Sequence, residues 1–211
     1  MRITTARVEF MTPIDGQAIL EHLEQCGRVC YKSEGKIAPG SAEKFLAGII
    51  KRGHEAVLEH YSFTVRFICD RGVSHEIVRH RMASYCQEST RYCNYSKGDF
   101  GSEITVIQPR FLEDDAPGWN KWLEACLAAE ESYFNLLDKG CTAQEARAVL
   151  PNSLKTELIM SANIREWRHF LKLRTAPAAH PQMREVACML LEQLKEKIPV
   201  LFDDINVEGQ V

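Results

Sequence analysis

The chain has 211 residues, 45% of them apolar and 26% charged, which are the proportions of a globular protein with one sizeable core. Its 26 Lys and Arg against 29 Asp and Glu leave a net charge of −3, which argues against a duplex-binding protein, because such proteins carry a basic surplus. No run approaches the ~18 apolar residues of a membrane span, and the opening MRITTARVEF lacks the apolar core of a signal peptide, so a cytoplasmic protein with neither nucleic-acid nor membrane partners is expected.

Residues 2 to 11 alternate as a strand with Ala6, Val8 and Phe10 on one face. Ile19, Leu20, Leu23 and Cys26 then recur at helical spacing, with Gly27 expected to cap the helix. A polar loop spans Ser33 to Gly40, and Ser41 opens a second helix that Gly53 closes. His60 to Cys69 alternates cleanly as a half-buried strand. Ser74 is expected to cap a helix carrying Glu76, Arg79 and His80, followed by a long loop from Tyr85 to Gly98.

Ile104 to Ile107 reads as a short strand. Trp119, Trp122, Leu123, Cys126, Leu127, Phe134 and Leu137 trace one stripe of a long helix that ends at Gly140. Thr142 with Glu145 forms a capping box, as does Asn163 with Glu166, the latter opening a helix that reaches Leu173 or Arg174. Between them, Leu154 to Ser161 is expected to be a strand. Pro181 starts the last helix, with Met183, Ala187, Leu190, Leu191, Leu194 and Ile198 facing inward. With neither repeat nor linker, the expectation is a single α+β domain over residues 1–211, with a twisted, largely antiparallel sheet flanked by helices, one of them long.

The eight cysteines include no Cys-x-x-Cys pair, which argues against a zinc site or disulfide framework and predicts reduced, mostly buried thiols; no metal is expected. Cys86 and Cys93 flank the segment richest in chemistry, RHRMASYCQESTRY from Arg79 to Tyr92. Arg79, His80 and Arg81 are costly to hold together unless an anion sits among them. Arginine forks match a phosphate, and Ser and Gln add neutral contacts, so a phosphorylated small molecule is the natural guest. A solvated basic patch is the plain alternative, and the strict order of residues weighs against it.

Arg-His-Arg, seven intervening residues and then Ser89 resembles the signature of the flavin-dependent thymidylate synthases. GHEAVLEH from Gly53 to His60, Glu145-Ala146-Arg147 with Leu150-Pro151, and NIREWRHFLKLR from Asn163 to Arg174 resemble further segments of that family, in the same order. The resemblance implies an enzyme that makes dTMP from dUMP with FAD as bound cofactor and with NADPH and methylene-tetrahydrofolate as co-substrates. It implies dUMP contacts from Glu76, Arg79, Gln87, Glu88, Ser89, Thr90, Arg91, Arg147 and Arg174, with Arg174 activating the uracil. For FAD it implies Ala56, Arg79, His80, Arg81, Gln87, Asn163, Arg165 and His169, with His54 in the vicinity of flavin or folate. The family often has Ser or Thr where this chain has Ala56, which leaves only a backbone contact there. A homotetramer with shared sites is also implied.

The residues themselves agree with parts of this. An arginine against N3 and a carbonyl of uracil favours the anionic ring and makes C5 more nucleophilic. Ser89 has no identifiable base, so it reads as a phosphate ligand rather than a nucleophile. No Gly-x-Gly-x-x-Gly is present for a Rossmann-type flavin site. Two rivals remain at this point: a non-catalytic nucleotide-binding protein, and a nucleic-acid-binding module that the acidic balance disfavours.

Overall fold

The computed structural model describes residues 1–207. The elements, in chain order, are β1 (Arg2–Thr4), β2 (Arg7–Phe10), α1 (Gly16–Tyr31), α2 (Ser41–Lys51), β3 (Ser62–Asp70), α3 (Arg71–Ile77), β4 (Ser84–Gln87), β5 (Thr105–Ile107), α4 (Ala116–Asp138), α5 (Ala143–Ala146), β6 (Lys155–Asn163), α6 (Ile164–Arg174), α7 (Pro181–Lys197) and α8 (Pro199–Phe202). A four-stranded antiparallel sheet has the order β2-β3-β6-β4, and β1 pairs in parallel with β5, Ile3 opposite Val106. The mixed α+β class, the antiparallel sheet and the one long helix are as the sequence predicts. Among the described residues, no helix is long and apolar enough to cross a membrane.

The chain forms two compact units, neither of them a continuous stretch of sequence. The first comprises Met1–Arg7, Phe67–Arg79 and Cys86–Leu158; the second comprises Val8–Arg66, His80–Tyr85 and, among the described residues, 159–207. In the first, Ile104, Val106, Cys126, Tyr133 and Leu154 form a buried core. The N-terminal ammonium ties in through Glu130 at 3.1 Å. In the second, Trp167 stacks on Phe63 with ring centroids 5.1 Å apart, and its indole donates to the Phe63 carbonyl. All six residues assigned to the inner face of the last helix and its end are buried there.

Local chemistry explains where the helices begin. Asp15 caps α1 by accepting from Ala18 N, and Asp115 caps α4 by accepting from Gly118 N. Thr142 and Glu145 make the expected reciprocal capping box. Asn163 Oδ1 accepts from Glu166 N at 2.9 Å, which starts α6 where the sequence places it. β6 is buried on alternate residues through all nine positions, confirming the strand that context suggested.

Several expectations are corrected. The first strand is two: β1 and β2 are separated by two residues and join different sheets. Gly27 does not end α1, which runs on to Tyr31 with Lys32 in the left-handed region at φ 46° as its cap. Gly27 is small for another reason, since a Cβ there would lie 2.6 Å from the Phe45 ring of α2. Asp70, not Ser74, caps α3 by accepting from Val73 N at 2.7 Å. The helix ends at Ile77, so Arg79 and His80 follow it rather than belong to it. Within the predicted loop, Ser84–Gln87 is an edge strand. In α4, Cys126 and Tyr133 are the buried residues, and Leu127 of the predicted stripe is 45% exposed.

All eight cysteines are free thiols, as expected, but only Cys69, Cys126 and Cys188 are buried.

At the start of α1, a Cβ on Gly16 would lie 2.2 Å from the carbonyl oxygen of Lys197, a backbone atom that cannot swing aside. Gly16→Ala is expected to lower unfolding stability by about 1–3 kcal/mol in urea titration. Gly35→Ala, with nothing near its added methyl, should stay within about 0.5 kcal/mol of the parent.

Candidate active site

In the first unit, the end of β4 and the turn that follows carry Gln87, Glu88, Ser89, Thr90 and Arg91, and Arg147 follows α5. Arg147 Nη1 lies 3.4 Å from Thr90 Oγ1, and Arg91 N donates to Ser89 Oγ at 3.3 Å. Arg91 sits over the Tyr92 ring, its guanidinium carbon 5.4 Å from the centroid. Residues far apart in sequence therefore gather two exposed arginines with two hydroxyls, Arg147 through its guanidinium and Arg91 through its backbone, a residue set suited to a phosphate monoester.

The rest of the segment is held from behind. Gln87 Nε2 donates to Ser74 Oγ at 2.8 Å and to Thr156 Oγ1 at 3.3 Å. Glu88 accepts from Lys155 Nζ at 3.0 Å and from Tyr95 OH at 3.2 Å, so its carboxylate anchors the turn to β6 and the core. Lys155 loses solvation by burial, but its bonds to Glu157 and Glu88 outweigh that loss and raise its pKa. Sequence reading missed Lys155 and Ser74 as supports, because their partners are 67 and 13 residues away. Glu76 is half-buried on α3, and Arg79 is exposed two residues after the helix. Cys86 is exposed on β4; burial, reinforced by Glu88, pushes the Cys93 thiol up, away from thiolate chemistry.

In the second unit, α6 presents Asn163, Glu166 and His169 at i, i+3 and i+6 on one face. That face lines a cleft of about 360 Å³ with Arg165, Met82 and the acids Glu55 and Glu59. Arg165 pairs with Glu59. Ala56 is exposed on the 3₁₀ turn Glu55–His60, and His54, which precedes that turn, bonds through Nδ1 to Tyr31 OH at 2.9 Å. Arg81 is exposed. The sequence reading had found neither Met82 nor the two acids. Their signal was available only in part, as Glu55 and Glu59 flank Ala56 within GHEAVLEH.

His80 is the exception among these side chains. It is 5% exposed, with Phe170 and His169 edge-on to its ring at 4.9 and 5.6 Å. Arg174 Nε donates to its Nε2 at 3.0 Å, while Glu166 Oε1 faces its Nδ1 at 3.3 Å. Tyr85 OH donates to its carbonyl. Burial first, then the positive charge of Arg174 and His169, lower the His80 pKa from the ordinary 6.5 to about 4. Burial and Glu166 push the Tyr85 hydroxyl up to about 12. Glu166, which local pattern assigns to a cap, thus spends its carboxylate on a histidine 86 residues earlier. His80, Glu166 and His169 also offer metal-ligand atoms within 4.8 Å of one another.

Comparison with known proteins places this arrangement. Residues 17–200 match the family model described as thymidylate synthase complementing protein. A flavin-dependent thymidylate synthase of Mycobacterium marinum is 36% identical over 230 aligned residues, covering 96% of this chain and 88% of the relative. One from Corynebacterium aurimucosum is 35% identical over 203 residues, 88% of this chain and 79% of the relative. A crystal structure of a UMP/dUMP methylase from Streptomyces cacaoi, bound with 5-Br dUMP, shares the fold with a TM-score of 0.78 over 96% of each chain, at 24% identity. The chain belongs to the flavin-dependent thymidylate synthase family.

The lowered His80 pKa has a consequence for stability. Between pH 6.5 and 4 the unfolded chain binds a proton that the folded chain refuses. The stability this site contributes is therefore intact above pH 6.5 and is lost as pH falls toward 4. Urea titrations across that window should show the parent losing up to about 1.4 kcal/mol per pH unit more than His80→Asn; equal slopes would show that His80 titrates normally.

Proposed function

We propose that the protein is an FAD-dependent methyltransferase converting dUMP to dTMP, with methylene-tetrahydrofolate as carbon donor and NADPH as reductant. The observation that carries the reading is the set of Ser89, Thr90, Arg91 and Arg147 gathered in the first unit of a chain with this family membership. Arg91 and Arg147 would hold the nucleotide phosphate with Ser89 and Thr90, while Glu76, Arg79, Gln87 and Glu88 shape and support the same site. Ser89 is a ligand in this reading, its hydroxyl already accepting from Arg91 N.

Arg174 is the proposed activating residue. Its Nε is committed to His80, which orients the guanidinium plane, and a guanidinium against N3 and a carbonyl of uracil stabilises the anionic ring that attacks through C5. No thiol is required, in keeping with the raised Cys93.

The donor chemistry of the second unit fits a flavin dinucleotide. Asn163 accepts from Glu166 N through its Oδ1 and lines one cleft with Arg165 and His169, and Arg81 is exposed next to His80 in sequence. These residues, with Arg79, Gln87 and the backbone at Ala56, would hold FAD, and His54 would lie in its vicinity; His80, expected as a direct ligand, has both ring nitrogens committed to Arg174 and Glu166 and would support the site from behind. When bound, the flavin supplies the electrons, drawn from NADPH, that reduce the transferred carbon to a methyl group. Residues 1–211 would act as one synthase domain in a cytoplasmic homotetramer with shared sites.

The test is dTMP formation from dUMP, methylene-tetrahydrofolate, NADPH and FAD, omitting one component at a time. Product that requires all four supports the reading; dUMP binding by folded protein with no product would favour a non-catalytic nucleotide-binding protein. Arg174→Ala should lower kcat on the order of a hundredfold while weakening dUMP binding far less. Ser89→Ala should retain measurable turnover, and its complete loss with dUMP still bound would restore the nucleophile role.

A further inference from the structure

We propose that Glu166 is a positioning residue for Arg174, acting through the tautomer of His80. The proposal rests on the role given to Arg174 above. A guanidinium Nε is always a donor, so the 3.0 Å bond from Arg174 requires a lone pair on His80 Nε2. A neutral imidazole with Nε2 unprotonated carries its hydrogen on Nδ1, and Nδ1 is the atom facing Glu166 Oε1 at 3.3 Å. The carboxylate is the acceptor that makes this tautomer the favoured one.

The surroundings leave the ring little alternative. Phe170 and His169 pack T-shaped against it, and the Tyr85 hydroxyl donates to the backbone carbonyl of His80. Without an acceptor at Nδ1, the buried N–H there would be left unpaired, and the hydrogen could reach Nε2 only by breaking the Arg174 bond, so the tautomer that Arg174 needs would lose its advantage. Arg174 would then lose the bond that orients it. Burial keeps the ring unprotonated, so tautomer rather than charge is the variable.

The same triad of His80, Glu166 and His169 has the spacing of a metal site. A cation on Nδ1 would displace the hydrogen that Glu166 receives and add positive charge two bonds from the atom Arg174 contacts. A proton-orienting role fits both ring nitrogens, whereas a metal accounts for one.

The direct readout is the tautomer of His80 in flavin-loaded protein carrying 15N-histidine. Long-range 1H–15N correlation spectra would be taken, with the resonance assigned by its loss in His80→Asn. The Nδ1–H form is expected in the parent and in Glu166→Gln, whose amide oxygen still accepts; the Nε2–H form or a mixture is expected in Glu166→Ala. In parallel, Glu166→Ala should lower kcat about tenfold, the equivalent of one hydrogen bond to a charged group. The dUMP affinity should change less than about threefold, and Glu166→Gln should stay within about twofold of the parent kcat.

An Nε2–H tautomer in the parent would overturn the proposal without any variant having to fold. So would Glu166→Ala keeping both tautomer and kcat, or Glu166→Gln behaving like the alanine variant. If the parent makes no dTMP, the reading of the reaction falls, while the spectra still report whether Glu166 sets the ring.

Discussion

A neutral imidazole buried against an arginine cannot take up a second proton without placing two positive charges in contact away from water. His80 is in that position, and the arrangement of the second unit's polar face follows from it. Because the ring stays neutral, one nitrogen must accept and the other must donate. Arg174 can supply only a donor and a carboxylate at Glu166 only an acceptor, so the order of the three groups admits one pattern of hydrogens. Aromatic walls from Phe170 and His169 then fix the ring plane. A histidine inside an Arg-His-Arg run looks like surface recognition chemistry. Here its flanking arginines are exposed while the ring itself is part of the interior.

The cations of this chain divide by the partners they keep. Arg168, 1% exposed, holds Asp204 with both terminal nitrogens at 2.7 Å, and this bond keeps the Asp204 carboxyl below its usual range. Arg28 holds the buried Glu24, which Ser41 also bonds, and Lys155 holds Glu88 and Glu157. These are scaffold cations, neutralised by carboxylates because a buried unpaired charge is costly. Arg91 and Arg147 instead rest on a phenol ring and a hydroxyl. Neutral partners orient a guanidinium without cancelling its field, which suits a site meant for an anion brought from solution. Arg165 with Glu59 breaks the pattern, but that pair lies at the surface, where water screens it and the pairing is worth little.

What the sequence disclosed was what is decided locally. The caps at Asn163 and Thr142, the inward face of α7 and the alternation of β3 as far as Phe67 depend on neighbours within a few residues, and are found where local pattern puts them, whereas Phe67 to Asp70 are all buried. The errors arise where a distant partner decides. Ser84–Gln87 is too polar to read as a strand, and only its place beside β6 makes it one. Asp70 and Ser74 are both capable caps; Arg71 N bonding to Asn152 O draws the chain into its turn at Asp70 and settles the choice. Gly27 has the look of a terminator because glycine usually is one, whereas here it admits the Phe45 ring. The same holds for the candidate site. The order of its motifs was legible, while the contacts of Lys155 with Glu88 and of Glu166 with His80 were not, because each joins side chains remote in sequence.

Helix α6 explains why one short element can serve both ends of the buried chain of hydrogen bonds. Glu166 lies in its first turn and Arg174 is its last residue, about 12 Å apart along the axis at 1.5 Å per residue. Two long side chains and an imidazole between them span that distance. The positive end of the helix dipole favours the carboxylate, and the negative end favours the guanidinium. The carboxylate, the Nδ1–H···Oε bond, the imidazole and the guanidinium N–H therefore all point the same way, each bond polarising the next. An acid at the start of a helix and a base at its end are ordinary stabilising choices. With His80 laid alongside them, the same two choices become a relay that carries the acceptor demand of Glu166 to Arg174 at the far end of the helix.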